Sequence, residues 1–592
     1  MSEQTLRERR RKHDLDEVKT NDNDNIKASG SVQPSKPRPN NRSNNYSWLT
    51  WGIIIGYLAL LLYRNWDRLY DFMHPWFGIK FTSNNEPRSV EILAEPKKQE
   101  AIIAAFKHAW SAYERDAFGD DEYHPISRVG SNLTKAGGIG YTIVDSIDTM
   151  VLMGLEDEEK RARQWVQNNM NLDRDGDFNT FETTIRVLGG LLSAYYLTNQ
   201  SIYLERATEL GDRMLPVFDT PSGIPMSFIN LGRREGVTDK HNHGLSSTAE
   251  AATLQLEFRY LSYLTENELY WEAVEKVMKV MKSARVIQGL APIFISQQTG
   301  QFVSSDIRLG SRGDSYYEYL LKQHLQTVRA KTVKKRCIMY DDAMDAIHKY
   351  LLKRSPREKI LYTSELIPER KQGSTEVTWR QVPKQDHLVC FLGGSLMLGA
   401  TDGAQMSVPP QMQDFTRGQV RDWRTGVDLI KTCLATYETK TGLSPEIVHF
   451  RERDDAIPAT SVVHGDWYIK GNRDNSVPYD ARYILRPETV ESLFIAYRLT
   501  GNNYYREFGW RIFKSIEKHC KIPEGGYASI LHVDTIPVTY EDKMETFLMS
   551  ETLKYLYLLF SDDSVLPLDK FVFNTEAHPL PIFTPHMRTG FS

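Results

Sequence analysis

The sequence predicts an all-α fold built of repeated helical hairpins that either stack as an open solenoid or close into a ring. Three observations predict it. First, residues 485–500 read as a helix. Pro487 suits a first turn, Glu488 and Glu491 favour the positive end of the helix dipole, and Val490, Leu493, Phe494 and Tyr497 recur at helical spacing. Second, the ending of that helix recurs. Leu499-Thr500 is followed by Tyr505 and Glu507, Leu197-Thr198 by Tyr203 and Glu205, and Leu264-Thr265 by Tyr270 and Glu272. Third, each copy runs on into a second helical pattern and a Gly-containing extended piece: Gly223-Ile224-Pro225, Gly289-Leu290-Ala291-Pro292 and Gly525-Gly526-Tyr527. Such a unit cannot bury its own apolar face and must stack on its neighbours.

Taken in order, the chain begins with a polar tail. Residues 1–46 carry a basic block (Arg7, Arg9, Arg10, Arg11, Lys12) and almost no large apolar residue, as a disordered cytosolic segment would. Residues 47–63 read as a transmembrane signal anchor. The run WLTWGIIIGYLALLLY is uncharged with aromatic residues at both ends, and spans roughly 24 Å as a helix, near the thickness of an endoplasmic reticulum membrane. A cleaved signal peptide fits less well, because the run starts far from the N-terminus and no small-residue cleavage site precedes Arg64. Close to the run, Lys36, Arg38 and Arg42 nearly balance Arg64, Arg68 and Lys80. The distal basic block decides for a cytosolic N-terminus, a single-pass type II placement with the bulk of the chain in the lumen. The sequons at Asn132 and Asn199 agree with that side. Residues 64–95 read as a lumenal stem and 96–592 as the globular domain.

Within that domain, Ile102, Ile103, Phe106, Trp110 and Tyr113 mark an amphipathic helix. Asp145 and Asp148 interrupt an otherwise apolar helix; a buried acid is either paired or functional, and both readings stand. The run Asp173, Asp175, Asp177 has its glycine, Gly176, two residues too early for an EF-hand, so it reads as a turn. Arg312-Gly313-Asp314 precedes the helical run SYYEYLLKQ and reads as a helix start rather than a recognition loop. Residues 327–380 look like an irregular polar excursion. Cys390 and Cys433 fall on two successive predicted helices, which permits a bridge or two buried thiols; Cys337 and Cys520 complete the four cysteines. TGLSPEIVHF repeats the extended piece and adds Glu446, and FNTEAHPLPIF sets Thr575, Glu576 and His578 among apolar residues.

Acidic residues recur at one end of the repeat. Glu488, Glu250 and Glu182 precede their helix-ending threonines by twelve, fifteen and sixteen residues. Capping explains each alone, and Ser247 with Glu250 forms a capping box. A closed ring, however, would gather them at one centre. Converging carboxylates raise one another's pKa, so they must be protonated, paired with arginine or met by a cation. Arg186, Arg312 and Arg486 each lie within four residues of such an acid. An oxygen-only donor set suits calcium, and no Cys/His zinc pattern is present. Paired carboxylates in a cavity are what glycoside hydrolysis uses. The net charge of −4 gives no electrostatic footprint for nucleic acid, and no G-x-S-x-G, P-loop or dinucleotide fingerprint occurs.

The motifs FETTIRVLGGLLSAYYL, LGSRGDSYYEYLLKQ, DHLVCF, TGLSPEIVHF, LRPETVESLF, KMETF and FNTEAHPLPI together resemble glycoside hydrolase family 47, the class I α1,2-mannosidases, over residues 98–585. The resemblance implies an (α/α)7 barrel with short β-hairpins plugging one end, calcium at its base and inversion at the anomeric carbon. It makes Glu182, Asp314, Glu446 and Glu488 the acids of the reaction centre. Glu182 would be the general acid, directly or through a water, and Glu488 the base, with Asp314 competing for either role. Thr575 would bind calcium through its hydroxyl and carbonyl. Glu250, Glu491, Glu551 and Glu576 would hold waters and sugar hydroxyls, with Arg186, Arg486 and His387 nearby and Phe547 against the sugar ring. Arg312 stands where endoplasmic reticulum members carry arginine and Golgi members leucine. Cys390 and Cys433 match the family's disulfide. Gly313 departs from the usual alanine and would loosen Asp314. The expectation is a monomeric, membrane-anchored enzyme of the endoplasmic reticulum that trims nine-mannose N-glycans to the eight-mannose product. A mannose-binding factor without hydrolysis, a Golgi-type mannosidase and a membrane-tethered solenoid with no site are the competing readings.

Overall fold

The computed structural model describes residues 90–284, 289–327, 338–370, 377–403, 409–453 and 456–585. The chain divides into Met1–Ser83, which contains none of these residues, and Asn84–Ser592, which contains all of them. Fourteen principal helices among the described residues make seven pairs. They are α1 (Pro96–Asp116), α2 (Tyr141–Leu152), α3 (Glu156–Asn168), α4 (Gly189–Thr198), α5 (Ser201–Met214), α6 (Gln255–Thr265) and α7 (Glu268–Ser283). They continue with α8 (Asp314–Thr327), α9 (Ile338–Ala346), α10 (Phe391–Ala400), α11 (Arg417–Ala435), α12 (Glu488–Thr500), α13 (Asn503–His519) and α14 (Leu553–Leu559).

The even-numbered helices from α2 to α14 form an inner ring: α2 packs on α4, α4 on α6, α6 on α8, α8 on α10, α10 on α12, and α12 on α14. The π-helical turn Leu548–Thr552 that leads into α14 packs back on α2 and closes the circle. Each inner helix has an outer partner, and the last inner helix, α14, is covered by α1, the first described helix. Burial explains which helix goes where. Every residue of α12 from Glu488 to Leu499 is buried, so it must be surrounded. Its partner α13 buries only the stripe Tyr505, Gly509, Ile512, Phe513 and Ile516 with flanking groups, the pattern of a helix with one wet face. Left-handed residues end several inner helices: Asn199 after α4, Glu266 after α6 and Gly501 after α12.

Because inner and outer helices alternate in direction, the inner helices all point the same way and their N-termini share one end of the ring. The hairpin Phe571–Phe573/Pro579–Pro581 runs along the ring's axis towards that end. Its base is fixed where the Phe583 N–H donates to the Gln326 carbonyl, at the C-terminal end of α8. Its tip reaches the opposite end of α8, where the Thr575 hydroxyl donates to Glu318 at 2.8 Å. Asn574 organises the tip: its side-chain oxygen accepts from the Glu576 and His578 N–H groups, and its amide donates to Glu257 and to the Ile185 carbonyl.

The sequence expectation is corrected at its N-terminal end. Among the described residues, no helix is long and apolar enough to cross a membrane. The uncharged helices α4 and α10 have only 10 residues each, about 15 Å, half the hydrocarbon thickness. The longer helices carry a charged face. The expected transmembrane helix, signal anchor and single-pass type II anchoring therefore find no support among the described residues, and the residues that suggested them, 47–63, lie outside these. The segment expected to be irregular, 327–380, is also ordered in large part. It supplies α9 and two antiparallel ribbons, Leu352–Arg354 with Leu361–Thr363 and Glu365–Arg370 with Val377–Val382. The hairpins between helix pairs also join one another. Lys384–Asp386, Ile447–Phe450, Trp467–Ile469 and Val462–His464 pair in that order into one four-stranded sheet.

A disulfide joins Cys390, in the turn that opens α10, to Cys433 on α11, across 43 residues. Cys520 is a buried free thiol.

Candidate active site at the N-terminal end of the inner ring

The axial hairpin lifts Thr575 into the middle of the inner-helix N-termini. Its neighbours Asn574, Glu576, Ala577 and His578 are buried, while Thr575 itself stays partly open. On α8, Asp314, Glu318 and Lys322 follow at four-residue intervals and so share one face. Glu318 accepts the Thr575 hydroxyl and is ion-paired with Lys322, whose ammonium also lies 3.5 Å from Glu491 and from the Asn574 carbonyl. Glu318 and Lys322 were not singled out from the sequence. The i, i+4 spacing from Asp314 is the signal that could have found them.

Two arginines organise the remaining acids. Arg186 lies on a π-helical turn, Thr183–Leu188, and reaches four partners. Its Nε donates to Glu182 at 2.7 Å, and its terminal nitrogen donates to the Thr546 hydroxyl at 2.7 Å, to Asp145 at 3.5 Å and to Glu576. Arg486 grips Glu446 with two edges, at 2.9 and 2.6 Å, and touches Glu488 at 3.5 Å. Both guanidinium carbons lie over the ring of Phe547, at 5.8 and 5.7 Å from its centroid. Phe547 immediately precedes a second π turn, which carries Glu551. π turns displace side chains from the regular helical spacing, and here both deliver charged groups to the same cavity.

The sequence-predicted acids thus come together, but in different settings. The Glu182 side chain is 38% exposed, whereas Glu488 is 11% and Glu446 5% exposed. Glu182 is the acid solvent reaches. Glu250 stands beside it, N-terminal to α6 and capped by Ser247. Arg312 lies over the Phe294 ring at 5.2 Å, with its charge felt at Glu250. His387 sits behind Glu488's helix, its Nε2 3.1 Å from the Thr489 hydroxyl, while its Nδ1 has no partner among the described residues. Oε2 of Glu488 is likewise buried without a partner.

The electrostatics follow from this crowding. Burial, with Glu318 and Glu488 close by, pushes Asp314 up to about 7. Burial also pushes Glu488 up to about 7, against the pull of Arg486. Glu250 rises to about 7 through burial and the neighbouring Glu182. Burial and mutual repulsion raise Glu551 and Glu576 far above the usual carboxylate range, and Glu491 is raised despite Lys322. His387 is driven down to about 3 by burial and the Arg486 charge, so it is neutral. The protein alone does not balance the negative charge it gathers here.

The donor set answers which cation would fit. Thr575 offers its own hydroxyl and carbonyl, and its hydroxyl meets the Glu318 carboxylate. That chemistry suits a hard dication such as calcium. Among the described residues, no three His, Cys, Asp or Glu side chains are close enough to hold a metal by themselves. A cation here would therefore depend on Thr575 and on water or ligand oxygens.

Comparison with known proteins addresses the same cavity. The profile of "Glycosyl hydrolase family 47" matches residues 105–582. A mannosyl-oligosaccharide 1,2-alpha-mannosidase of Arabidopsis thaliana is 43% identical over 84% of this chain and 80% of its own. An endoplasmic reticulum mannosyl-oligosaccharide 1,2-alpha-mannosidase of Schizosaccharomyces pombe is 41% identical over 86% of this chain and 94% of its own. The solved structure of an alpha-1,2-mannosidase from Trichoderma reesei superposes with a TM-score of 0.70 at 28% identity, over 83% of this chain and all of that one.

Proposed function

The chain belongs to glycosyl hydrolase family 47, and on that premise we propose that its cavity hydrolyses terminal α1,2-linked mannose from high-mannose N-glycans with inversion, trimming nine mannoses to eight. The observation that carries the catalytic reading is the contrast between two acids of one cavity. Glu182 is solvent-reached and held by Arg186; Glu488 is buried, with one oxygen unpartnered. Inversion needs such a pair, one carboxyl to protonate the leaving oxygen and one to activate water on the opposite face of the sugar. Glu182 then serves as general acid, directly or through a water, with Arg186 stabilising the carboxylate left after proton transfer. Glu488 serves as base, with Arg486 and Glu446 fixing its side of the cavity. Phe547, buttressed by both guanidinia, packs against the sugar ring.

Thr575 would hold calcium, with Glu250, Glu491, Glu551 and Glu576 orienting waters and sugar hydroxyls around it. When bound, the ion would supply the positive charge the acids lack and orient the terminal mannose. Arg312, at the rim beside Glu250, restricts which glycan branch enters. The product of Arg312→Leu, resolved by branch over time, should show more than one eight-mannose isomer; an unchanged single isomer would remove Arg312 from branch selection.

Asp314 offers a second reading as the acid, since burial holds its proton near neutral pH. The two are separable with a substrate whose leaving group needs no proton. Glu182→Gln should lose on the order of 10²–10⁴ in kcat on the nine-mannose glycan and far less on α-mannosyl fluoride. If Asp314→Asn shows that selective rescue instead, the acid role passes to Asp314. Glu488→Gln should be inactive on both. Chelation of the full-length protein should stop glycan turnover, and full activity in excess chelator would remove the metal from the mechanism.

A further inference from the structure

The proposed reaction uses none of Asp145, Asp148, Lys554 or His578, yet all four are completely buried beside it. His578 lies between the two acids of α2. Its Nδ1 is 2.7 Å from Asp148 Oδ2, and its Nε2 is 3.1 Å from Asp145 Oδ1. A neutral imidazole offers one donor and one acceptor, whereas ionised carboxylates only accept. Two carboxylate partners are satisfied together only by a ring with hydrogen on both nitrogens.

The remaining contacts favour ionised acids. Asp148 also receives the Lys554 ammonium at 2.9 Å and the Ser193 hydroxyl at 2.8 Å, so all its partners donate. Asp145 Oδ2 receives Arg186 at 3.5 Å, with Thr546 alongside. The cluster is faced by Ser193 on α4, Lys554 on α14, Thr546 before it, Arg186 and Glu182 on the turns before α4, Glu576 on the hairpin and Glu257 on α6. Burial holds protons on Glu257 and Glu576, and Lys554 and Arg186 pair with Asp148 and Asp145. A neutral His578 would set a ring lone pair against a carboxylate oxygen at hydrogen-bond distance, two buried acceptors with no hydrogen between them. Burial itself lowers the proton affinity of this imidazole, but Asp148 and Asp145 outweigh it and the net shift is upward.

We propose that His578 is a fixed imidazolium and a positioning residue: it keeps Asp145 ionised, Asp145 holds Arg186, and Arg186 aims Glu182 at the glycan. The second half rests on the reading of Glu182 as the general acid. Loss of the imidazolium would let one of the two aspartates take a proton and would slacken Arg186. Glu182 would then hold its proton more tightly, and the alkaline limb of the pH–rate profile, where the acid is lost, would move to higher pH.

Two measurements on the full chain test this. Neutron diffraction should show deuterium on both Nδ1 and Nε2 of His578 at pH 7; a bare ring nitrogen overturns the imidazolium whatever the reaction is. His578→Gln should lower kcat roughly 10- to 100-fold, with KM within about twofold and the alkaline limb raised. If activity merely follows the folded fraction and the limb stays in place, the positioning role is overturned. Should His578→Gln fail to fold, Asp145→Asn, which keeps the side-chain shape, must show the same raised limb, and an unmoved limb there overturns the proposal equally. Should Glu182→Gln prove fully active while the ring is doubly protonated, it is the assignment of the acid that fails.

Discussion

At the scale of single residues, Gly313 shows how a sequence expectation can be reversed by its surroundings. Its glycine was expected to loosen Asp314, since helix preference favours alanine by about 1 kcal/mol. In the structure a Cβ at Gly313 would collide with the backbone oxygen of Arg308 and touch Ile293, so the position is tight rather than loose. Backbone cannot rotate aside as a side chain can. Overpacking of this kind costs about 1–3 kcal/mol and outweighs the propensity gain. Gly313→Ala should therefore lower Tm and weaken Asp314's placement; a raised Tm would show that the loop has another arrangement. The neighbouring Arg312 has φ +70°, a left-handed conformation that costs a non-glycine residue about 1 kcal/mol or more. No sequence pattern announces such strain, and Arg312 was legible only through the motif around it.

At the scale of elements, the Leu-Thr endings and their following tyrosines were good guides, because they mark helix termini whose chemistry is local. α12 begins at Glu488 and ends at Thr500, and the second helices begin at Ser201, Glu268 and Asn503, where the repeat places them. The polar excursion was misread for the opposite reason. α9 is an outer helix whose buried face, Tyr340, Ala343 and Met344, is short and flanked by charge, so its periodicity is faint in sequence. Acids on loops and π turns, such as Glu446 and Glu551, carry no periodic signal at all. The Cys390–Cys433 bridge fixes the turn that presents His387. Closing its 43-residue loop is worth about 4 kcal/mol in the unfolded-chain model. Cys390→Ala with Cys433→Ala should lower Tm by several degrees and also raise KM, as the His387 turn is freed from α11. A double variant with native KM would confine the bridge to stability. Helix placement alone left two buried thiols or a bridge open, the family resemblance implied the bridge, and the packing of α10 on α11 brings the two sulfurs together.

At the scale of the whole molecule, the convergence of acids is the feature that single motifs could not give. Ring closure creates it; the helical repeat alone left solenoid and ring open, and the closed barrel was what the family resemblance implied. Its cost is visible in the pH dependence. Asp314, Glu250, Glu257 and Glu488 are raised to about 7 by burial, so the folded protein binds more protons than the unfolded chain between about pH 4.5 and 7. Stability must then fall as pH rises through that window. The chelated protein should melt at lower temperature at pH 7.5 than at pH 5, and added calcium should raise Tm more at pH 7.5. A chelated Tm that climbs from pH 5 to 7.5 would mean these carboxylates are already compensated without a cation.

The pairing of α1 with α14 carries one more consequence, for the timing of synthesis. Helix α1 has no cover until the last inner helix is made, and Thr575 follows later still. Nascent chains halted before residue 553 should therefore expose Phe106, Trp110 and Tyr113 to chaperones and protease, however many central hairpins have already formed. Release of the final stretch would seal both ends at once.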